Sequence, residues 1–67
     1  MKYELKDEYI ELFKLLKTLD LANSGGQAKM IIAEGQVLRN EEVETRKRAK
    51  IRKGETIKIA EVTIEVV

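Results

Sequence analysis

The chain contains no cysteine and no histidine, and these two absences remove much of the chemistry that a small protein can carry. Without thiols there are no disulfides and no thiolate metal sites to staple a fold. Without imidazole, the commonest metal ligand and the usual general base are missing. Carboxylates alone can hold a hard cation, but no acidic cluster here has the spacing of a calcium loop. An enzyme is therefore the least expected class, and no cofactor is expected. Proline is absent as well, and the only aromatics are Tyr3, Tyr9 and Phe13. No apolar run approaches the roughly 20 residues that cross a bilayer. Met1 to Lys6 lack the apolar stretch of a signal peptide. These absences lead us to expect a soluble cytoplasmic protein that does not engage membranes. Sixty-seven residues make one domain, 1–67, with a small core.

What is present is charge, unevenly spread. Thr45 to Lys53 reads Thr-Arg-Lys-Arg-Ala-Lys-Ile-Arg-Lys, six basic side chains in nine positions with no acid. The remaining residues carry seven Lys or Arg against twelve Asp or Glu, so a formal net charge of +1 hides a polarised molecule. Cations packed this closely repel one another, and a compact protein that keeps them usually presents them to a polyanion. Taken alone, an isolated basic run is more often a solvated loop.

Apolar spacing gives the coarse architecture. Tyr3 and Leu5 alternate with Lys2, Glu4 and Lys6, which suits a short strand. Asp7 is placed to cap a helix over about Glu8 to Leu19, whose stripe is Leu12, Leu15, Leu16 and Leu19. Ser24 is placed to cap a second helix from about Gly25 to Glu34, with Ala28, Ile31 and Ile32 facing inward. Gly35 supplies the left-handed residue that ends it. Beyond Gln36 the pattern alternates. Short strands are expected at Val37–Arg39 and Glu42–Glu44 around a turn at Asn40-Glu41. The basic stretch follows as a loop or irregular strand, then a turn at Gly54. A terminal hairpin turns at Ala60-Glu61. The expected class is α+β, with two helices on one side of a small curved, mostly antiparallel sheet.

Two adjacent glycines are poor material for a helix start, and their use there is close approach: the amides of Gly25 and Gly26 lie open to an oxygen ligand. A flexible helix start without a ligand is the plainer alternative.

Ser24-Gly25-Gly26-Gln27-Ala28-Lys29, followed by Ala33-Glu34-Gly35-Gln36-Val37, resembles the S-four RNA-binding domain, also called the αL motif. So do Glu44-Thr45-Arg46-Lys47-Arg48, Lys50-Ile51 and the Gly54-Glu55-Thr56-Ile57-Lys58-Ile59 ending. The family is named after a small-subunit ribosomal protein. The whole chain looks like a small stand-alone bacterial member of the YbcJ/YaaA-like type. The resemblance implies a concave RNA-binding face with two parts. One is the start of the second helix, at Ser24, Gly25, Gly26, Gln27 and Lys29. The other is the basic loop, at Thr45, Arg46, Lys47, Arg48 and Lys50. The chain departs from the family at Arg39, where an apolar residue is usual, and at Glu41, where glycine is usual. Arg39 is expected to snorkel from a half-buried position or to join the basic face. Glu41 argues against a type I′ turn, because positive φ is costly for residues with a Cβ.

The three aromatics lie far from the basic loop in sequence, so base stacking is not expected as the main mode. The expected function is recognition of structured RNA, ribosomal or transfer, by backbone shape and phosphate contacts in ribosome assembly or translation. Possible partners include ribosomal particles, and the chain is expected to be a monomer. The alternative is a small adaptor that docks an acidic protein through the basic loop. DNA binding ranks below both, for want of a spare helix to enter the major groove.

Overall fold

The computed structural model describes residues 1–67, which run in the order β1 (Lys2–Tyr3), β2 (Ile10–Glu11), α1 (Leu12–Thr18), α2 (Gly25–Ala33), β3 (Val37–Arg39), β4 (Glu42–Val43), β5 (Lys50–Ile51), β6 (Thr56–Ile59) and β7 (Val62–Val66). The main sheet has the order β1-β7-β6-β3-β4 and is antiparallel except at β1, which pairs parallel to β7. β2 and β5 form a separate antiparallel ladder.

Alternation decides which face of the sheet is covered. Ile57, Ile59, Ile64 and Val66 are buried, while Thr63 and Glu65 between them are exposed. Leu12, Leu15 and Leu16 of α1 and Ala28 and Ile32 of α2 join them in one cluster of 14 buried residues, which also holds Val37 and Ile51. Both helices thus lie over one face of the sheet, in an α+β arrangement. Each fully buried Leu or Ile contributes about 1.5–3 kcal/mol relative to exposure, so this face holds the fold together.

The first helix is shorter than its apolar stripe predicts, and Asp7 does not cap it. Ile10 and Glu11 pair instead with Ile51 and Lys50. Glu11 stands at the N-cap and makes no side-chain capping bond. The exposed helix-start amides are satisfied from elsewhere: Leu12 N–H donates to the Ala49 carbonyl and Phe13 N–H to the Lys47 carbonyl, both at 3.0 Å. Helix ends need such partners, and here the basic loop supplies them. A tertiary pairing has displaced a local cap.

The second helix follows its sequence signals closely. Ser24 Oγ accepts from Gln27 N–H at 3.1 Å, and the Gln27 amide oxygen accepts from Asn23 N–H. This is a variant of the reciprocal capping box. At the other end Gly35 has φ +76°, with Gly35 N–H bonded to Ile32 and Gln36 N–H to Ile31. That pattern is a Schellman motif. α1 ends the same way, with Asp20 at φ +58° in the place of glycine.

The turn between β3 and β4 corrects a sequence expectation. Asn40 and Glu41 have φ +51° and +72°, as a type I′ turn requires, although Glu41 is not glycine. The strain is offset locally. Asn40 Oδ1 accepts from Thr56 N–H at 2.9 Å, Asn40 Nδ2 donates to Glu55, and Glu41 pairs with Lys58.

Candidate nucleic-acid interface

The basic loop is held by its backbone and left open at its side chains. Its Lys47 and Ala49 carbonyls face the start of α1, and Ala49 is buried, while Thr45, Arg46, Lys47 and Arg48 are exposed. An Arg46 carbonyl to Ala49 N–H bond of 3.1 Å closes the turn between them. Fixing the carbonyls inward leaves four consecutive side chains exposed to solvent.

Beneath the loop runs a chain of alternating charges. Glu44, only 8% exposed, accepts from Arg46 Nε at 3.0 Å, Arg46 Nη2 at 3.1 Å, Arg46 N–H at 3.2 Å and Arg39 Nη1 at 3.1 Å. Arg39 then donates from Nε and Nη2 to Glu55 at 2.7 and 3.2 Å, and from Nη2 to the Lys50 carbonyl at 2.9 Å. Glu55 also accepts from Arg52 N–H at 2.7 Å. Hydrogen bonding from Arg46 pulls the Glu44 carboxyl down to about 2, against the opposing effect of burial and with help from Arg39. Burial pushes Glu55 upward, but the bonds from Arg39, Arg52 and Asn40 outweigh it and its pKa is lowered. Arg39 is raised, mainly by its bond to Glu55, and Arg46 by its bond to Glu44.

This network divides the predicted cations into two groups. Arg39 sits half-buried with its donors engaged, so it supports the loop from below and is not an outward-reaching ligand. Arg46 is paired with Glu44 but keeps 74% of its side chain exposed. Lys29, Lys47, Arg48 and Lys50 have no carboxylate within 4 Å, and neither do Arg52 and Lys53. A concavity beside the loop is lined by Arg39, Arg46, Arg48, Lys50 and Arg52. Arg52 was not among the residues singled out from sequence, although it belongs to the same basic run.

The start of α2 is the second part. Ser24 caps Gln27, and the amides of Gly25 and Gly26 have no acceptor within the protein. The fold does not demand glycine at either position. A Cβ on Gly25 would stand 3.9 Å from the Phe13 ring, and one on Gly26 would stand 3.9 Å from Ser24 Oγ, both ordinary contacts.

Phe13 joins the two parts. Its N–H bonds to Lys47 of the loop, its ring faces Gly25, and Lys29 Nζ lies 4.9 Å from the ring centroid. Tyr9 makes a second link, with Lys50 Nζ at 5.0 Å and Arg52 at 5.8 Å from its ring. Aromatics that lie far from the basic loop in sequence therefore stand beside its cations in space. The β2–β5 register explains why: pairing Ile10 with Ile51 carries Tyr9 to Arg52. Sequence spacing gave no sign of this. No helix is long and apolar enough to cross a membrane.

A two-helix cap over a mostly antiparallel sheet, with a cation-rich loop tied to the first helix and a glycine-started second helix beside it, is the architecture of the αL motif. The S4 domain family matches residues 3–67, and the chain belongs to that family. It is 48% identical over 62 residues to the Escherichia coli K12 protein named "Putative RNA-binding protein YbcJ", covering 92% of this chain and 89% of that one. The same identity and coverage hold for an uncharacterised YbcJ protein of Shigella flexneri. The solution structure of E. coli YbcJ, described as revealing an αL motif involved in RNA binding, superposes with a TM-score of 0.75 at 46% identity. That match covers 98% of this chain and 85% of the other.

Proposed function

We propose that this protein is an RNA-binding domain that grips structured RNA through phosphate and backbone-shape contacts. The observation that carries the reading is the joining of unpaired loop cations and open helix amides across Phe13. Phosphates at stem or junction spacing would engage Lys47, Arg48, Lys50 and Arg52, and one more would take the amides of Gly25 and Gly26. Arg46 reaches the same surface from its anchor on Glu44. Gln27 has its amide oxygen engaged, which leaves its amide NH2 as the donor for a 2′-hydroxyl or base edge. The RNA-binding description of E. coli YbcJ supports the choice of ligand. Membership of a family named after a ribosomal protein favours ribosomal or transfer RNA, in ribosome assembly or translation. The domain's own part is binding, and any chemistry would belong to its partners.

If about four or five phosphates are neutralised, log K falls with log salt at a slope near −4, or roughly 10² to 10³ in affinity between 50 and 200 mM. The test is Lys47→Ala with Arg48→Ala, since neither residue holds a carboxylate of the fold. Binding to a structured RNA at low salt should fall at least tenfold and the salt slope should shrink by about two, with the circular dichroism unchanged. Undiminished affinity would refute the site. Titration against duplex DNA and against an acidic protein distinguishes the competing ligands.

A further inference from the structure

The largest concavity of the molecule, about 850 Å³, adjoins the proposed phosphate-binding surface and shares Gly25 with it. Its apolar floor is Tyr9, Ile10 and Phe13, and Lys14, Lys17 and Gly25 stand around it. We propose that this groove is a subsite for one unpaired RNA base, stacked on Tyr9 with the Phe13 edge of the groove beside it. The proposal rests on the RNA reading above and specifies the kind of RNA that reading requires.

Three observations choose a nucleotide as the occupant. First, Tyr9 is 37% exposed, a large aromatic surface left uncovered in a chain with only three aromatic residues. Second, both rings are ringed by cations: Lys50 at 5.0 Å and Arg52 at 5.8 Å from Tyr9, Lys29 at 4.9 Å and Lys14 at 6.0 Å from Phe13. Only Lys14 among these four has a carboxylate partner, Glu11 at 3.4 Å. Asp7, the other acid on the rim, pairs with no cation. Third, Lys50 and Arg52 belong at once to the Tyr9 ring and to the concavity of the basic loop.

A planar group joined through a short linker to an anion fits that layout, and a nucleotide, whose ribose separates base from phosphate, is such a group. In the free protein the exposed ammonium and guanidinium of Lys50 and Arg52 rest on the ring. Lys50 and Arg52 do not line the groove, so a base stacked on the groove side of the Tyr9 ring leaves them in place to hold its phosphate.

The test compares a blunt RNA duplex with the same duplex carrying one bulged adenosine, each titrated at low salt with the full chain. The wild type should prefer the bulged duplex by about tenfold, the scale of one base–aromatic stack. Tyr9→Leu should cost the bulged duplex about tenfold more affinity than it costs the blunt one, abolishing the preference, and Tyr9→Phe should retain it. In a Tyr3→Phe background, tyrosine emission should be quenched by the bulged duplex and not by the blunt one. Equal wild-type affinity for both duplexes overturns the subsite, as does a Tyr9→Leu loss that is equal on both. Either result leaves phosphate recognition standing and gives the groove to another occupant, such as an acidic peptide. Failure of the wild type to bind either duplex overturns the RNA reading itself.

Discussion

Glu44 is the residue whose removal should hurt the fold most for its size. It is nearly buried, and it is the only carboxylate placed between the guanidinium groups of Arg39 and Arg46. Its pKa falls from an ordinary value of 4.5 to about 2 on folding. At about 1.36 kcal/mol per unit the depression corresponds to about 3 kcal/mol. Arg46 is largely in water, so its share is screened, and about 2 kcal/mol is the working figure. A carboxylate depressed on folding contributes fully above its unfolded pKa and loses the contribution as pH falls through the folded value. Stability should therefore be flat above about pH 5 and decline toward about pH 2. Glu55, also lowered by folding, adds to the decline in the same direction. For a domain of this size, about 2 kcal/mol is about 8–16 °C in Tm. Glu44→Gln should lose that much at neutral pH and should flatten the acid limb. Thermal unfolding followed by circular dichroism between neutral pH and about pH 3 measures both. A wild-type Tm that does not change across this range, or a Glu44→Gln variant with an undiminished slope, would refute the reasoning.

The glycines and the left-handed residues give tests of opposite sign. Gly26→Ala adds a Cβ to a helix first turn with ordinary space around it, and should stabilise by about 0.5–1 kcal/mol in urea unfolding. It should also weaken RNA binding severalfold by crowding the open amides, a separation that a purely structural glycine would not produce. Glu41→Gly removes a positive φ at a residue with a Cβ and costs only an exposed pair with Lys58, for a net gain of about 1 kcal/mol. Asp20→Gly should gain as much, since Asp20 combines a left-handed backbone with a negative charge at a helix C-terminus.

Features whose causes are local were legible in the chain. Alternation from Thr56 to Val66 specified the hairpin and its buried face, because one face of a strand must find the core. Ser24 and Gly35 marked the two ends of the second helix, because each acts within four residues of its own position. The basic loop and the glycine start were visible for the same reason. Features settled by distant partners were not legible. The first helix begins at Leu12 because Ala49 and Lys47 offer carbonyls and Lys50 and Ile51 claim the preceding residues for a ladder. Arg39 turned inward because Glu44 and Glu55, from two other segments, bracket it. Tyr9 reached the cations by the same long-range pairing. The Asn40-Glu41 turn was misjudged because propensity does not count Thr56 and Lys58, which hold it from the neighbouring strand.

The near-neutral net charge of the chain does not contradict a polyanion ligand. Acids and bases that neutralise one another beneath the loop contribute little field at the surface, and what an approaching phosphate meets is the unpaired remainder. The two arginines committed to that network are the ones that sequence alone would rank with the rest. Their commitment is useful: Glu44 holds the Arg46 backbone and side chain together, and Arg39 ties Glu44 to Glu55 and to the Lys50 carbonyl. The loop that carries the free cations is thus fixed from below by paired ones, and from behind by the start of α1. Repulsion among Lys47, Arg48, Lys50 and Arg52 would otherwise favour a spread, mobile loop. A loop held in one shape can select among RNAs by the spacing of their phosphates, which a flexible cationic tail of equal charge cannot do.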